Sequence, residues 1–131
     1  MIKPNKQLFF IKVGVDSTTN LNGRFTGSLD PSNGMYWTWQ NGFIHLKVEG
    51  VGNKVSNPKH FFQFHLGGYS YPNNCVGEIS LGKNVGNKTL VFNVQPIILK
   101  AYEDKLFEVL SPGIKTKEFM KRLTDSIKIE K

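Results

Sequence analysis

Phe43-Ile44-His45-Leu46-Lys47-Val48-Glu49 is the stretch on which the fold turns. Ile44, Leu46 and Val48 recur at period two on one side, and His45, Lys47 and Glu49 on the other, the pattern of a strand buried on one face. Just before it, Asn41-Gly42 turns the chain out of an aromatic cluster, Met35-Tyr36-Trp37-Thr38-Trp39. After it, residues 50–58 read as a loop, and His60-Phe61-Phe62-Gln63-Phe64-His65-Leu66 as a second strand that ends at Gly67-Gly68. Period two groups His60 with Phe62, Phe64 and Leu66, and Phe61 with Gln63 and His65, so His60 and His65 are expected on opposite faces.

Leu8 to Val13 is a strand near the N-terminus, rich in apolar strand formers and closed by Gly14. Residues 16–34 are dominated by Asp, Ser, Thr, Asn, Gly and Pro and read as one long loop, of a length that usually serves function. Val76 to Leu81 and Thr89 to Val94 read as further short strands, with Cys75 as a small half-buried strand residue. Pro96 is expected to interrupt pairing before Ile97 to Ala101 resume an extended course. Glu103 to Leu110 reads as a short helix, and Thr116 as the N-cap of another that runs through Ile127 with Phe119, Met120, Leu123 and Ile127 as its apolar stripe. Short strands separated by Gly, Asn and Pro turns predict an all-β fold, an antiparallel β-sandwich with a short C-terminal helical segment, in a single domain over residues 1–131.

Composition excludes several classes. The chain has 131 residues, 39% of them apolar, enough for one buried core. No apolar run approaches the roughly 20 residues of a membrane-spanning helix, and the run after Lys3 and Lys6 is too short for a signal-peptide core. Seventeen Lys and Arg against ten Asp and Glu give a net charge of +7, which raises the question of a nucleic-acid partner. The basic residues form no stripe, and their one adjacent pair is Lys121-Arg122, so the excess reads as solubility and no nucleic acid is expected. Cys75 stands alone, without the repeated spacing of a zinc site.

Catalytic constellations are lacking: there is no G-x-S-x-G elbow, no phosphate-cradling glycine loop and no H-E-x-x-H, so the chain does not read as an enzyme. Histidines stand at 45, 60 and 65, with Trp37 and Trp39 close in sequence to the first. Two imidazoles and one further donor can hold copper with an open position. The plainer roles are a solvated strand face for His45, beside Lys47 and Glu49, and a structural hydrogen bond for His65 near the Gly-Gly turn.

Four ordered blocks carry a resemblance. Gly14-Val15-Asp16-Ser17, then Gly27-Ser28-Leu29-Asp30-Pro31-Ser32-Asn33-Gly34-Met35-Tyr36-Trp37-Thr38-Trp39-Gln40-Asn41-Gly42-Phe43, then Lys47-Val48-Glu49-Gly50, then Phe64-His65-Leu66-Gly67-Gly68 resemble the MbnP-like family of bacterial copper-binding proteins. The likeness is strongest over residues 9–70 and looser through 127. It implies an exported, mostly β, noncatalytic protein that resides in the periplasm or another extracytoplasmic space. It also implies copper as the bound metal, and as partner a dihaem cytochrome of the peroxidase type that oxidises a tryptophan to kynurenine. By the same resemblance His65 is a copper ligand, and Trp37 and Trp39 are both candidates for oxidation; His45, which lies outside the matched blocks beside charged strand partners, is the weaker candidate for a second imidazole. The chain is expected to correspond to the C-terminal part of the family's domain, without its N-terminal strands, and to leave a sheet edge open to self-association. The competing reading is a carbohydrate-binding or structural interaction module, with Tyr36, Trp37, Trp39 and Tyr69 as an aromatic platform for sugar rings.

Overall fold

The two segments of alternating polarity, residues 43–49 and 60–66, pair with one another. In this computed structural model, which describes residues 8–55, 60–83 and 86–130, strand β3 (Gly42–Val51) runs antiparallel to β4 (Phe61–Gly67). Strand β2 (Tyr36–Thr38) pairs antiparallel with the start of β3, and the two-residue strand β7 (Glu108–Val109) lies parallel to β4, which gives a four-stranded sheet in the order β2-β3-β4-β7. Two further ribbons complete the strands: β1 (Phe9–Val13) with β5 (Gly77–Gly82), and β6 (Thr89–Val91) with β8 (Lys128–Glu130). Lys3 and Lys6, residues 56–59 of the loop after β3, and residues 84 and 85 lie outside the described residues.

The expectation of a β-rich protein holds, but helices take a larger part than a short C-terminal segment. Leu46 stands opposite Leu66 and Val48 opposite Phe64, so one face of the sheet is continuously apolar. That face is covered by helix α3 (Ile114–Asp125), whose Phe119, Met120 and Leu123 form the buried cluster with Phe64, Leu66, Cys75 and Val109. The Phe64 and Phe119 rings meet edge to face with centroids 5.2 Å apart. Helix α2 (Gln95–Asp104) adds Ile97 and Ala101 to the same cluster, and Asp104 receives Lys100 at 3.0 Å and Lys115 of α3 at 3.2 Å. Among the described residues no helix is long and apolar enough to cross a membrane.

Several boundaries differ from the sequence reading, each for a local reason. Residues 16–34 are not one loop: Asp16 caps the short helix α1 (Ser17–Asn22) by accepting from Thr19 N at 2.9 Å, and Asp30 caps a 3-10 turn by accepting from Ser32 N at 2.9 Å. Turn-forming Asp residues are also N-caps. Pro96 opens α2 rather than breaking a strand, because a first helical turn needs no N–H there, so Ile97 to Ala101 are helical and the strand at Thr89 stops at Val91. The expected helix at Glu103–Leu110 is instead the end of α2, a left-handed Lys105 and strand β7. Thr116 lies buried inside α3 and donates its hydroxyl hydrogen to Ser111 O at 2.8 Å, so it is not an N-cap, and Ile127 lies past the helix end. Cys75 is 5% exposed and precedes β5 rather than lying half-buried within a strand.

Candidate metal centre

β4 sets the geometry. Phe64 and Leu66 are both fully buried on the core face, so by alternation His65 between them and Gly67 beyond them belong to the other, outer face. Lys47 stands directly opposite His65 in the ladder, and Glu49 lies two residues further along β3 on the same side. From there the Glu49 carboxylate reaches the His65 ring, with Nε2 2.6 Å from Oε1. His65 keeps 16% of its side chain exposed and Glu49 41%, so the pair sits at the surface within reach of solutes. Lys47 does not join it: its ammonium donates to Gly34 O at 2.6 Å and ties the preceding turn to the sheet.

Trp37 reaches this face from β2. A Cβ built at Gly67 would meet the Phe43 carbonyl oxygen of β3 and would lie 2.9 Å from Cζ3 of the Trp37 indole, so the β3 backbone and the six-membered ring together occupy the room that the missing side chain leaves. The indole and the His65 imidazole thereby flank consecutive outward positions of β4. Trp39 lies apart. It is 77% exposed, and its backbone carbonyl accepts a hydrogen bond from the Tyr69 hydroxyl at 3.3 Å.

His45 follows a different course. Ile44 pairs with Gly67 and Leu46 with Leu66, so β3 spends two steps where β4 spends one, and His45 is the extra residue of a bulge. Its ring does not lie on a solvated face with Lys47 and Glu49. It turns toward the core, with Nδ1 3.6 Å from the Sγ of Cys75, a member of the buried cluster. Gly14, at φ +118°, passes over the imidazole, and a Cβ there would come within 2.6 Å of the ring. Among the described residues Nε2 of His45 is buried without a hydrogen-bond partner. Burial holds the His45 pKa below its ordinary value, against the opposing pull of the Val15 and Cys75 backbone. The Cys75 thiol is pushed up to about 12 by burial despite the nearby Lys117, so the sulfur stays protonated and unreactive.

His60 is a third case. It sits exposed just before β4 in a left-handed conformation, with Nδ1 2.9 Å from Val55 O, so strand periodicity does not set its direction. Of the expected site residues, Trp37 and His65 share the outer face, His45 lies across the sheet from them, and Trp39 projects into solvent. Among the described residues no three His, Cys, Asp or Glu side chains converge as a preformed cage. Glu49 is a partner of His65 that the sequence alone does not announce. Its place in the alternating Lys47-Val48-Glu49 run put it on the right face, but only the strand register brings it diagonally onto His65.

The result is a β-rich protein whose sheet presents a histidine–carboxylate pair beside a half-buried indole. The chain belongs to the MbnP family, whose model matches residues 5–109. No curated protein and no solved structure matches it.

Proposed function

We propose that the chain is a noncatalytic, extracytoplasmic copper-binding protein that takes up the metal on the outer face of its four-stranded sheet. Membership of the MbnP family supports this reading, and the observation that carries it is the seating of Trp37 over Gly67, on the face that bears His65. His65 fits the part of an imidazole donor: it is accessible, and a carboxylate already engages one ring nitrogen, the usual companion of a metal-bound histidine. Intact Trp37 offers no donor, because the indole nitrogen lone pair belongs to the aromatic system. Cleavage of its C2–C3 bond with addition of oxygen, followed by hydrolytic loss of the formyl group, leaves an aryl amine that can bind a metal. A dihaem cytochrome of the peroxidase type, fed with peroxide, supplies the oxidising equivalents. The amine and His65 then provide two nitrogen donors of the kind copper favours. His45, engaged with Cys75 across the sheet, does not contribute.

The test is copper titration followed by native mass spectrometry on chain purified from its host. One copper per chain, lost in His65→Ala and accompanied by oxidation mapped to Trp37, is the expected result. Absence of copper binding by the host-derived wild type overturns the proposal. A sugar-binding face draws some support from the exposure of Trp39, but Tyr36 is packed against Phe25 and Phe43, with ring centroids 5.5 and 4.9 Å away, and is not free to join a platform. Glycan binding that depends on Trp39, without copper affinity, selects that reading instead.

A further inference from the structure

Resting on the proposed copper reading, we infer that Glu49 is a positioning residue that assigns the metal-binding nitrogen of His65, making it Nδ1. An ionised carboxylate only accepts hydrogen bonds, and a neutral imidazole has one N–H and one bare nitrogen. With Glu49 Oε1 2.6 Å from Nε2, the proton of neutral His65 resides on Nε2, and the electron pair is on Nδ1. Without that carboxylate the two tautomers compete, and part of the population presents a proton where a metal needs a lone pair.

The register makes Glu49 the residue able to do this. Lys47, directly opposite His65, is a donor and would favour the reverse tautomer if it reached the ring, but its ammonium is committed to Gly34 O at 2.6 Å. Gln63, the partner of Glu49 in the ladder, donates through its amide to Glu108 Oε1 at 3.3 Å, away from His65. Glu49 is therefore left to His65 alone among these neighbours. The carboxylate also fixes the ring plane, so the imidazole is ordered before any metal arrives.

The experiment reads the free protein first. In chain with 15N-labelled histidine at neutral pH, long-range proton–nitrogen correlation spectra should show His65 with its proton on Nε2 and a bare Nδ1, and Glu49→Gln, which keeps the shape but can also donate, should yield a mixture. Copper affinity should then fall roughly 10- to 100-fold in Glu49→Gln, with an unchanged unfolding midpoint. A wild-type His65 protonated on Nδ1, or a tautomer identical in both proteins, overturns the assignment. Failure of the copper reading is separate: it shows as wild type that binds no copper, or His65→Ala that binds as well as wild type, whatever the spectra of the metal-free chain report.

Discussion

His45 and His65 stand on neighbouring strands, yet their surroundings give them opposed chemistry. The bulge turns His45 inward, where Gly14 and Cys75 enclose it and the neutral ring is favoured. Its folded pKa therefore lies below the ordinary 6.5, and the unfolded chain binds more protons between those two values. Stability contributed by the neutral ring is complete above about pH 6.5 and is lost as pH falls toward the folded pKa. The lowered pKa values of Asp16, Asp30 and Asp104 act only below 3.8, outside that window. Urea unfolding of wild type should accordingly weaken from pH 7 to pH 5.5, more steeply than that of His45→Gln. Equal slopes would show that His45 is not the group responsible. Gly67 permits a second test: Gly67→Ala pushes a methyl against the Phe43 carbonyl oxygen of β3 as well as the Trp37 ring, and should cost at least about 1–3 kcal/mol, with a change in indole fluorescence. Trp39→Phe, at an exposed site, should stay within about 0.5 kcal/mol of wild type.

At the scale of elements, legibility follows the strength of the local period. The β3 and β4 segments announce themselves because one apolar face alternates over several residues, and α3 because Phe119, Met120 and Leu123 recur at helical spacing. β7 has only Glu108 and Val109 and owes its existence to the neighbouring Gln63 and Phe64, so nothing in its own sequence marks it. α2 was hidden by Pro96, which breaks a strand and starts a helix equally well. That difference can be measured. Pro96→Ala should lower stability by only about 0.4–1 kcal/mol, whereas Ile98→Pro, inside α2, should cost about 3 kcal/mol or more. Phe119→Ala, which empties the edge-to-face contact with Phe64, should cost about 3–5 kcal/mol in a urea titration.

For the whole molecule, the sequence carried the family and the types of candidate residue, while the tertiary fold alone showed where each of them lies. The Trp37-Thr38-Trp39 block offers two indoles that composition cannot rank, and the three-residue strand β2 places the first over Gly67 and leaves the second in solvent. His45 looked equivalent to Lys47 and Glu49 by alternation, and one inserted residue in the β3–β4 ladder removed that equivalence. A bulge is a property of two strands together, so it escapes a reading of either alone. The central claim, that copper is held on the outer face by His65 beside Trp37, is tested most directly by anomalous diffraction at the copper edge from crystals of chain isolated from its host. The expected result is a single strong peak within bonding distance of the His65 imidazole and next to the residue at position 37. A peak lodged between His45 and Cys75, or no peak in crystals grown with copper, would contradict it.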